Sequence, residues 1–236
     1  MLKFTPIASG STGNLYRLES GENTLMIECG IRFPEIRKAF DFKLSIVSGC
    51  LISHGHSDHS MSADKIMKAG IDIFCTKETA EYCNLSGHRL NIVASGKPFN
   101  AGPFRCACFY TQHDCPGSVG FMISDGKEKL LFVTDSFYLT NKFAPVDILA
   151  VECNYHLPIL DYNVENGLYP ASNRNRVRES HMSLDTCKPF LQSQDLSKCR
   201  QIFLIHLSDA NSDAALFKNE IEQATGCPVI IAQGKI

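Results

Sequence analysis

Ser53-His54-Gly55-His56-Ser57-Asp58-His59 packs three imidazoles and a carboxylate into six consecutive positions, His54 to His59. In an extended segment, residues two apart point the same way, so His54 and His56 converge on one point while a following turn swings Asp58 and His59 toward another. The spacing reads as a two-metal site, against the alternative of a polar surface loop that happens to be rich in histidine. Gly49 to Ser53 is a short apolar strand feeding the stretch. Ser60 to Ala69 reads as a helix closed by Gly70, so the histidines lie between a strand end and a helix start.

The rest of the chain supplies the frame. Strands are expected over Lys3–Ala8, Leu15–Leu18, Thr24–Glu28, Ile71–Cys75, Phe104–Tyr110, Ser118–Ser124, Leu130–Thr134, Ile148–Val151, Gln201–Ile205 and Val229–Ile231. Helical patterns fall at Phe33–Phe40, Lys77–Cys83, Leu184–Gln192 and Ala214–Ala224, and Asn84 to Gly102 reads as irregular apart from one extended piece at Asn91–Ala94. The interval from Asn154 to His181 is polar and is expected to be a functional loop or lid. Helices alternating with strands at both ends imply sheets sandwiched by helices.

The 236 residues are 44% hydrophobic with 23 basic against 25 acidic side chains, which is the balance of an ordinary globular chain and of one domain. No stretch approaches the roughly 18 to 20 apolar residues that cross a bilayer, and Met1-Leu2-Lys3-Phe4 begins no secretory signal, so the expected location is the cytoplasm. Eleven scattered cysteines without a CxxC pair read as free packing thiols, with Cys106 and Cys108 on one strand face. A net charge of −2 argues against tight nonspecific binding of long duplexes. Arg174, Arg176 and Arg178, if extended, would line one face for phosphate oxygens, against the alternative of a solvated loop.

A buried strand delivers a polar group only where it emerges. Three such positions stand out: His113 after Phe104–Tyr110, Asp135 closing Leu130–Thr134, and His206 closing Ile202–Ile205.

The His54–His59 stretch resembles the H-x-H-x-D-H signature of the metallo-β-lactamase fold hydrolases, which is specific for that superfamily and silent on substrate. The resemblance implies a four-layer αββα sandwich, an α+β/α/β class of fold, as a single domain over residues 1–236. Carried over by position, it gives one metal His54, His56 and His113, gives the other Asp58, His59 and His206, and makes Asp135 the bridging carboxylate. Nitrogen and oxygen donors alone suit two divalent ions, zinc or manganese, with iron also admissible. Such a pair acidifies a bridging water and clamps both oxygens of an in-line displacement, a chemistry that cleaves phosphodiesters, thioesters and lactones alike.

Further motifs are similar to the YycJ-type branch of single-domain nucleases related to the tRNase Z and RNase J enzymes. They are Ser9-Gly10-Ser11-Thr12-Gly13-Asn14, Glu152-Cys153-Asn154, Tyr169-Pro170 with Arg176 and His181-Met182-Ser183, and His206-Leu207-Ser208. This resemblance implies a dinuclear phosphodiesterase acting as a 5′-end exonuclease, on DNA rather than RNA, with a metal-bridging hydroxide as nucleophile. Asp58 and Asp135 would orient the nucleophile, His181 would protonate the leaving oxygen, and Asn154, Arg176 and Ser208 would meet substrate. His181 has a plainer reading, in which it only precedes Ser183 as the N-cap of the helix at Leu184. The chain departs from the family where Glu28 replaces an aspartate, at Ser136, and between Asn154 and His181. The alternative function is a small-molecule metallohydrolase for cyclic phosphodiesters, lactones or thioesters, favoured by the net charge. Nothing points to a membrane or a protein partner.

Overall fold

The structure, a computed structural model, describes residues 1–232. These form two compact units, one of residues 1–110 and 115–130, the other of residues 111–114 and 131–232.

The first unit opens with an antiparallel meander of β1 (Leu2–Ala8), β2 (Leu15–Ser20) and β3 (Asn23–Ile27). Helix α1 (Phe33–Ala39) follows, then β4 (Val47–Leu51), the short helices α2 (Ser57–Ser60) and α3 (Ala63–Lys68), β5 (Ile73–Cys75), α4 (Lys77–Tyr82) and β6 (Leu90–Ile92). β3 to β6 pair in parallel, so the sheet runs β1-β2-β3-β4-β5-β6 and is mixed. β3, β4 and β5 are short, apolar and almost wholly buried, and on one face Met26, Cys50, Ile73 and Cys75 belong to one buried cluster with Ile36 of α1 and Ile66 of α3. β7 (Phe99–Ala101), β8 (Phe104–Tyr110) and β9 (Val119–Ser124) form an antiparallel ladder. β8 alternates as its sequence demands, with Phe104, Cys106 and Cys108 buried and Arg105 exposed.

Along β10 (Lys129–Val133) the chain passes into the second unit, which holds β11 (Ile148–Glu152), α5 (Leu157–Glu165), α6 (Ala171–Ser180), α7 (Leu184–Gln192), β12 (Gln201–Ile205), α8 (Ala214–Thr225) and β13 (Val229–Ile231). Its strands lie in the order β13-β12-β11-β10, and β11, β12 and β13 pair in parallel. Gly226 takes φ 68° and ends α8, the left-handed turn that a side chain would resist.

Three expectations are corrected. The helix expected over Ser60–Ala69 is two short helices, and the first begins at Ser57, so Asp58 and His59 lie on a helix rather than on a turn. The break between them is pinned by Ser62, whose amide donates to Cys29 O and whose hydroxyl donates to Ile31 O. The interval from Asn154 to His181 is no structureless loop, because it carries α5 and α6. Arg174, Arg176 and Arg178 therefore sit on a helix, where a two-residue step turns about 200° and shares no face. Asn84 to Gly102, finally, contains two short strands rather than one.

All eleven cysteines are free thiols, nine of them buried. Burial pushes the thiols of Cys75 and Cys106 up to about 12 and that of Cys108 up to about 11, so they pack as small apolar groups. No described helix is long and apolar enough to cross a membrane.

Candidate metal-ligand clusters

In the first unit, β4 is buried through Leu51, and the chain emerges at Ser53 to present two imidazoles. The Ser53 hydroxyl lies 2.9 Å from His54 Nδ1, which leaves His54 Nε2 turned toward His56 Nδ1 at 3.2 Å. Two nitrogens each bound about 2.0–2.1 Å from a tetrahedral ion stand about 3.3 Å apart, so this pair has the spacing of two ligands to one cation.

Asp58 and His59 are held from the opposite side by the Ser9–Asn14 loop. Asn14 is fully buried, and its Oδ1 accepts from the Gly10 amide and the Tyr16 hydroxyl, both at 3.0 Å. That fixes the amide so that Nδ2 faces Asp58 O and His59 Nε2 at 3.1 Å each and Asp58 Oδ2 at 3.5 Å. Glu28, also fully buried, accepts from the Ser53 amide at 3.2 Å and faces His59 Nδ1 at 3.6 Å. Its carboxylate thus joins the two ends of the histidine stretch, the one beside His54 and the one at His59. The His54 and His59 rings are 4.2 Å apart.

The second unit holds its own cluster. One ligand atom from each of Asp135, Glu152, His181 and His206 lies within 4.8 Å of the others. Asp135 follows β10, Glu152 closes β11 and His206 follows β12, so three adjacent strands deliver one polar group each at the same edge. His206 Nδ1 is 3.4 Å from Glu152 and 3.6 Å from Asp135 Oδ1, and Thr134 Oγ1 donates to that same oxygen at 2.8 Å. Asn154 is buried and donates to His206 O at 2.8 Å, so its amide frames the imidazole.

Glu152 is the hub of this group, and reading the sequence quoted it only within a motif. Its Oε2 accepts from the amides of Ser136 at 3.0 Å and Met182 at 3.2 Å, while Oε1 meets His181 Nδ1 at 2.6 Å. The signal was present: Glu152 ends an otherwise apolar strand, as Asp135 and His206 do. Burial alone would depress the His181 imidazolium, but the Glu152 carboxylate outweighs it and holds the ring above its ordinary pKa. Burial likewise opposes the Glu152 carboxylate, and His181 reverses that and keeps it below the usual value.

His113 Nδ1 lies 2.9 Å from Ser180 O, a pure acceptor, so that nitrogen carries the hydrogen. Nε2 then turns toward Asp135 Oδ2 at 3.4 Å and Asp114 Oδ1 at 3.2 Å. His113 Nε2 thus stands at ligand spacing from two carboxylate oxygens, a donor set able to hold a cation. Only nitrogen and oxygen donors converge, so the residues fit a hard or borderline divalent ion. Of the remaining candidates, Arg176 pairs with Asp114 at 3.1 Å on the surface, and Ser208 Oγ accepts from the Asn211 amide at 3.2 Å. His88 is exposed, and Ser183 does act as the N-cap of α7, accepting from Thr186 N.

Comparison with known proteins identifies the family of the chain. A sequence model of the beta-lactamase superfamily domain matches residues 31–207. The chain is 22% identical over 240 residues to exodeoxyribonuclease YycJ of Bacillus anthracis, covering 94% of this chain and 88% of that one. It is also 22% identical over 227 residues to exodeoxyribonuclease WalJ of Streptococcus pneumoniae, covering 89% and 83%. Among solved structures, the metallo-β-lactamase fold protein YhfI of Bacillus subtilis superposes with a TM-score of 0.76 at 18% identity, over 100% of this chain and 98% of that one. Zn(2+)-bound PqqB of Methylobacterium extorquens gives 0.73 at 13% identity, over 100% and 99%.

Proposed function

Since the chain belongs to the beta-lactamase superfamily domain family and has the metallo-β-lactamase fold of metal-dependent hydrolases, we propose that it hydrolyses phosphodiester bonds in nucleic acid, as a 5′-end exonuclease on DNA. The observation that carries this reading is the buried Glu152–His181 pair beside Asp135. A departing sugar alkoxide needs a proton, whereas the thiolate leaving a thioester does not, and His181 is a proton-bearing group whose pKa the Glu152 carboxylate raises. The relatives named as exodeoxyribonucleases, aligned along most of the chain, support a nucleic-acid substrate. DNA is preferred to RNA because the interval between Asp135 and His206 is too short for the inserted domain of RNA-processing relatives.

We assign His54, His56 and His113 to one ion, Asp58, His59 and His206 to the other, and Asp135 to both. This pairing rests on the family pattern. Two divalent ions, zinc or manganese, would supply an acidified water and positive charge for the phosphoryl oxygens. Asp58 and Asp135 orient the attacking group, and His181 gives its proton to the departing oxygen, with Glu152 Oε1 at His181 Nδ1 setting which ring nitrogen faces substrate. Arg176 and Ser208 are retained as substrate contacts, while Asn154 is assigned to holding His206. The cytoplasm is the proposed location. The net charge of −2 favours the second reading, a small-molecule phosphodiesterase or ester hydrolase with the same ligands.

The test is hydrolysis of bis-p-nitrophenyl phosphate and of 5′-labelled single- and double-stranded DNA with zinc or manganese, comparing the wild type with Asp135→Ala and His181→Ala. Metal-dependent loss of 5′ nucleotides, abolished by Asp135→Ala, is expected. Cleavage of the small ester alone would move the assignment to the second reading, and full turnover by His181→Ala would remove the assigned acid.

A further inference from the structure

The second unit carries a cavity of about 430 Å³ that no step above uses, within the usual range of about 300–1,000 Å³ for small-ligand sites. Its lining includes Phe137, Tyr138, Tyr155, Arg178, Ser183 and Asp185. A second hollow of about 400 Å³ shares Tyr138 and Asp185 with it. The lining segments are continuations of the ligand-bearing ones: Phe137 lies two residues after Asp135, Tyr155 directly follows Asn154, and Ser183 lies two residues after His181. The cavity is therefore built on three of the segments that also carry Asp135, Asn154 and His181.

Phe137 and Tyr138 are neighbouring aromatics, 40% and 50% exposed, on a segment that is nevertheless pinned. Ser136 Oγ accepts from the Gln112 amide and donates to Tyr138 O, both at 3.0 Å, and the Phe137 amide donates to Gln112 O at 3.0 Å. The lining at Tyr155 is equally fixed, since Tyr155 O accepts from the Leu184 amide at 2.8 Å. Ring area held out to solvent on a preorganised loop gives a stacking partner at low entropic cost. The charges say which part of a nucleotide enters. One guanidinium, Arg178, is set among two carboxylates, Glu179 and Asp185, a poor cradle for phosphate. The same mixture offers acceptors to exocyclic amines and a donor to ring carbonyls, the edge pattern of a nucleobase.

We propose that this cavity receives the unpaired terminal base of the strand being cleaved, stacked on Tyr138, so that the substrate is a single-stranded or frayed end. The proposal rests on the nuclease reading and adds a base requirement to it. Stacking of a base on an aromatic ring is worth about 1–3 kcal/mol, or roughly 5- to 150-fold in affinity.

The test is fluorescence anisotropy of the zinc-loaded protein with phosphorothioate-linked pentadeoxycytidylate, whose base carries both an exocyclic amine and a ring carbonyl, against the same oligomer abasic at its 5′ terminus. The wild type is expected to favour the terminal base by about 5- to 150-fold, Tyr138→Ala to bind both oligomers at the abasic value, and Tyr138→Phe to restore the preference. Matching melting temperatures would show that the variants are folded. A wild type indifferent to the terminal base, or a Tyr138→Ala protein that keeps the preference, overturns the proposal while 5′ cleavage of DNA leaves the nuclease reading standing. Absence of both DNA binding and DNA cleavage overturns the two together.

Discussion

Placing alanine at Gly30 tests whether the backbone around the histidine stretch is as tightly specified as the structure makes it. A Cβ there would stand 1.6 Å from Asp58 O and 2.5 Å from His59 N, where contacts begin near 3.0 Å. Both are main-chain atoms, so no rotamer change relieves the clash, and α2 must move by about 1.4 Å away from residue 30. The Asn14 amide donates to Asp58 O at 2.7 Å and the Cys29 amide to His59 O at 2.9 Å, so the movement strains two buried bonds and the ligand pair together. Overpacking costs about 1–3 kcal/mol and each of the two stranded buried donors about 1–3 kcal/mol, which places the loss at about 3–9 kcal/mol. For a chain of this size that is a fall of at least about 6 °C in melting temperature. Displacing the bonds that hold the ligands should also weaken zinc binding by about 10- to 100-fold. Thermal unfolding and calorimetric zinc titration measure both. Gly21→Ala is the control, since Gly21 has φ 58° with nothing within 4 Å and should cost only about 1–2 kcal/mol. Equal melting temperatures and equal zinc affinities for the two variants would refute the reasoning.

In chelator-treated protein, the margin of wild type over Glu152→Gln should be widest between about pH 4.5 and 6.5. His181 is raised in the fold, so its contribution is full below the unfolded value and fades as pH climbs through the folded one; Glu152 is lowered, so its contribution fades as pH falls. Urea unfolding across pH 4–8 checks this, and a margin growing steadily toward pH 8 would contradict it. Ellman's reagent at pH 8 should label at most Cys83 and Cys199 rapidly in the native protein, because the other nine thiols are buried, against all eleven in guanidinium; fast labelling of Cys106 would count against the packing. Asp213→Ala removes a cap that accepts from the amides of Ala215 and Leu216, and should cost about 1 kcal/mol with zinc affinity unchanged, read by the same unfolding and titration.

The sequence was most legible where burial and chemistry spoke with one voice. β8, α7, β12 and β13 run over the expected residues, since each pairs an apolar period with a clear stop. α6 escaped because its ten residues are almost wholly polar, with Ser180 its buried residue; its fixation comes from tertiary bonds such as Arg174 to Asp161 at 2.6 Å, which leave no periodic trace. α5 has one buried residue, Leu160, and a proline in its first turn, too faint a stripe to outweigh the polar surroundings. His54 and His56 could be paired from their spacing, and Asp135 and His206 from their strand ends. The roles of Asn14 and Glu28 could not, because each depends on a partner dozens of residues away: Asn14 on Asp58, and Glu28 on Ser53 and His59.

Backbone strain ties these positions together. Glu28, Asp135 and His206 take φ of 62°, 42° and 53°, each directly after a strand or one residue beyond it. The other non-glycine residues of positive φ, Asp41, Phe42 and Asn84, lie in exposed turns, whereas these three are buried. A left-handed conformation costs an L-residue about 1–2 kcal/mol, and glycine would adopt it freely, so each site retains a side chain against its own backbone. The comparison of Asp135→Gly with Asp135→Ala isolates this. Both lose the bond from Thr134 Oγ1, and only glycine relieves φ. The glycine variant should be more stable than the alanine variant by about 1 kcal/mol in chelator-treated protein, reversing the usual order, while both lose zinc affinity alike. Denaturant unfolding gives the first quantity and zinc titration the second. An alanine variant as stable as the glycine variant would mean that the backbone at 135 is not strained, and the link between strained strand ends and the ligand cluster would fall with it.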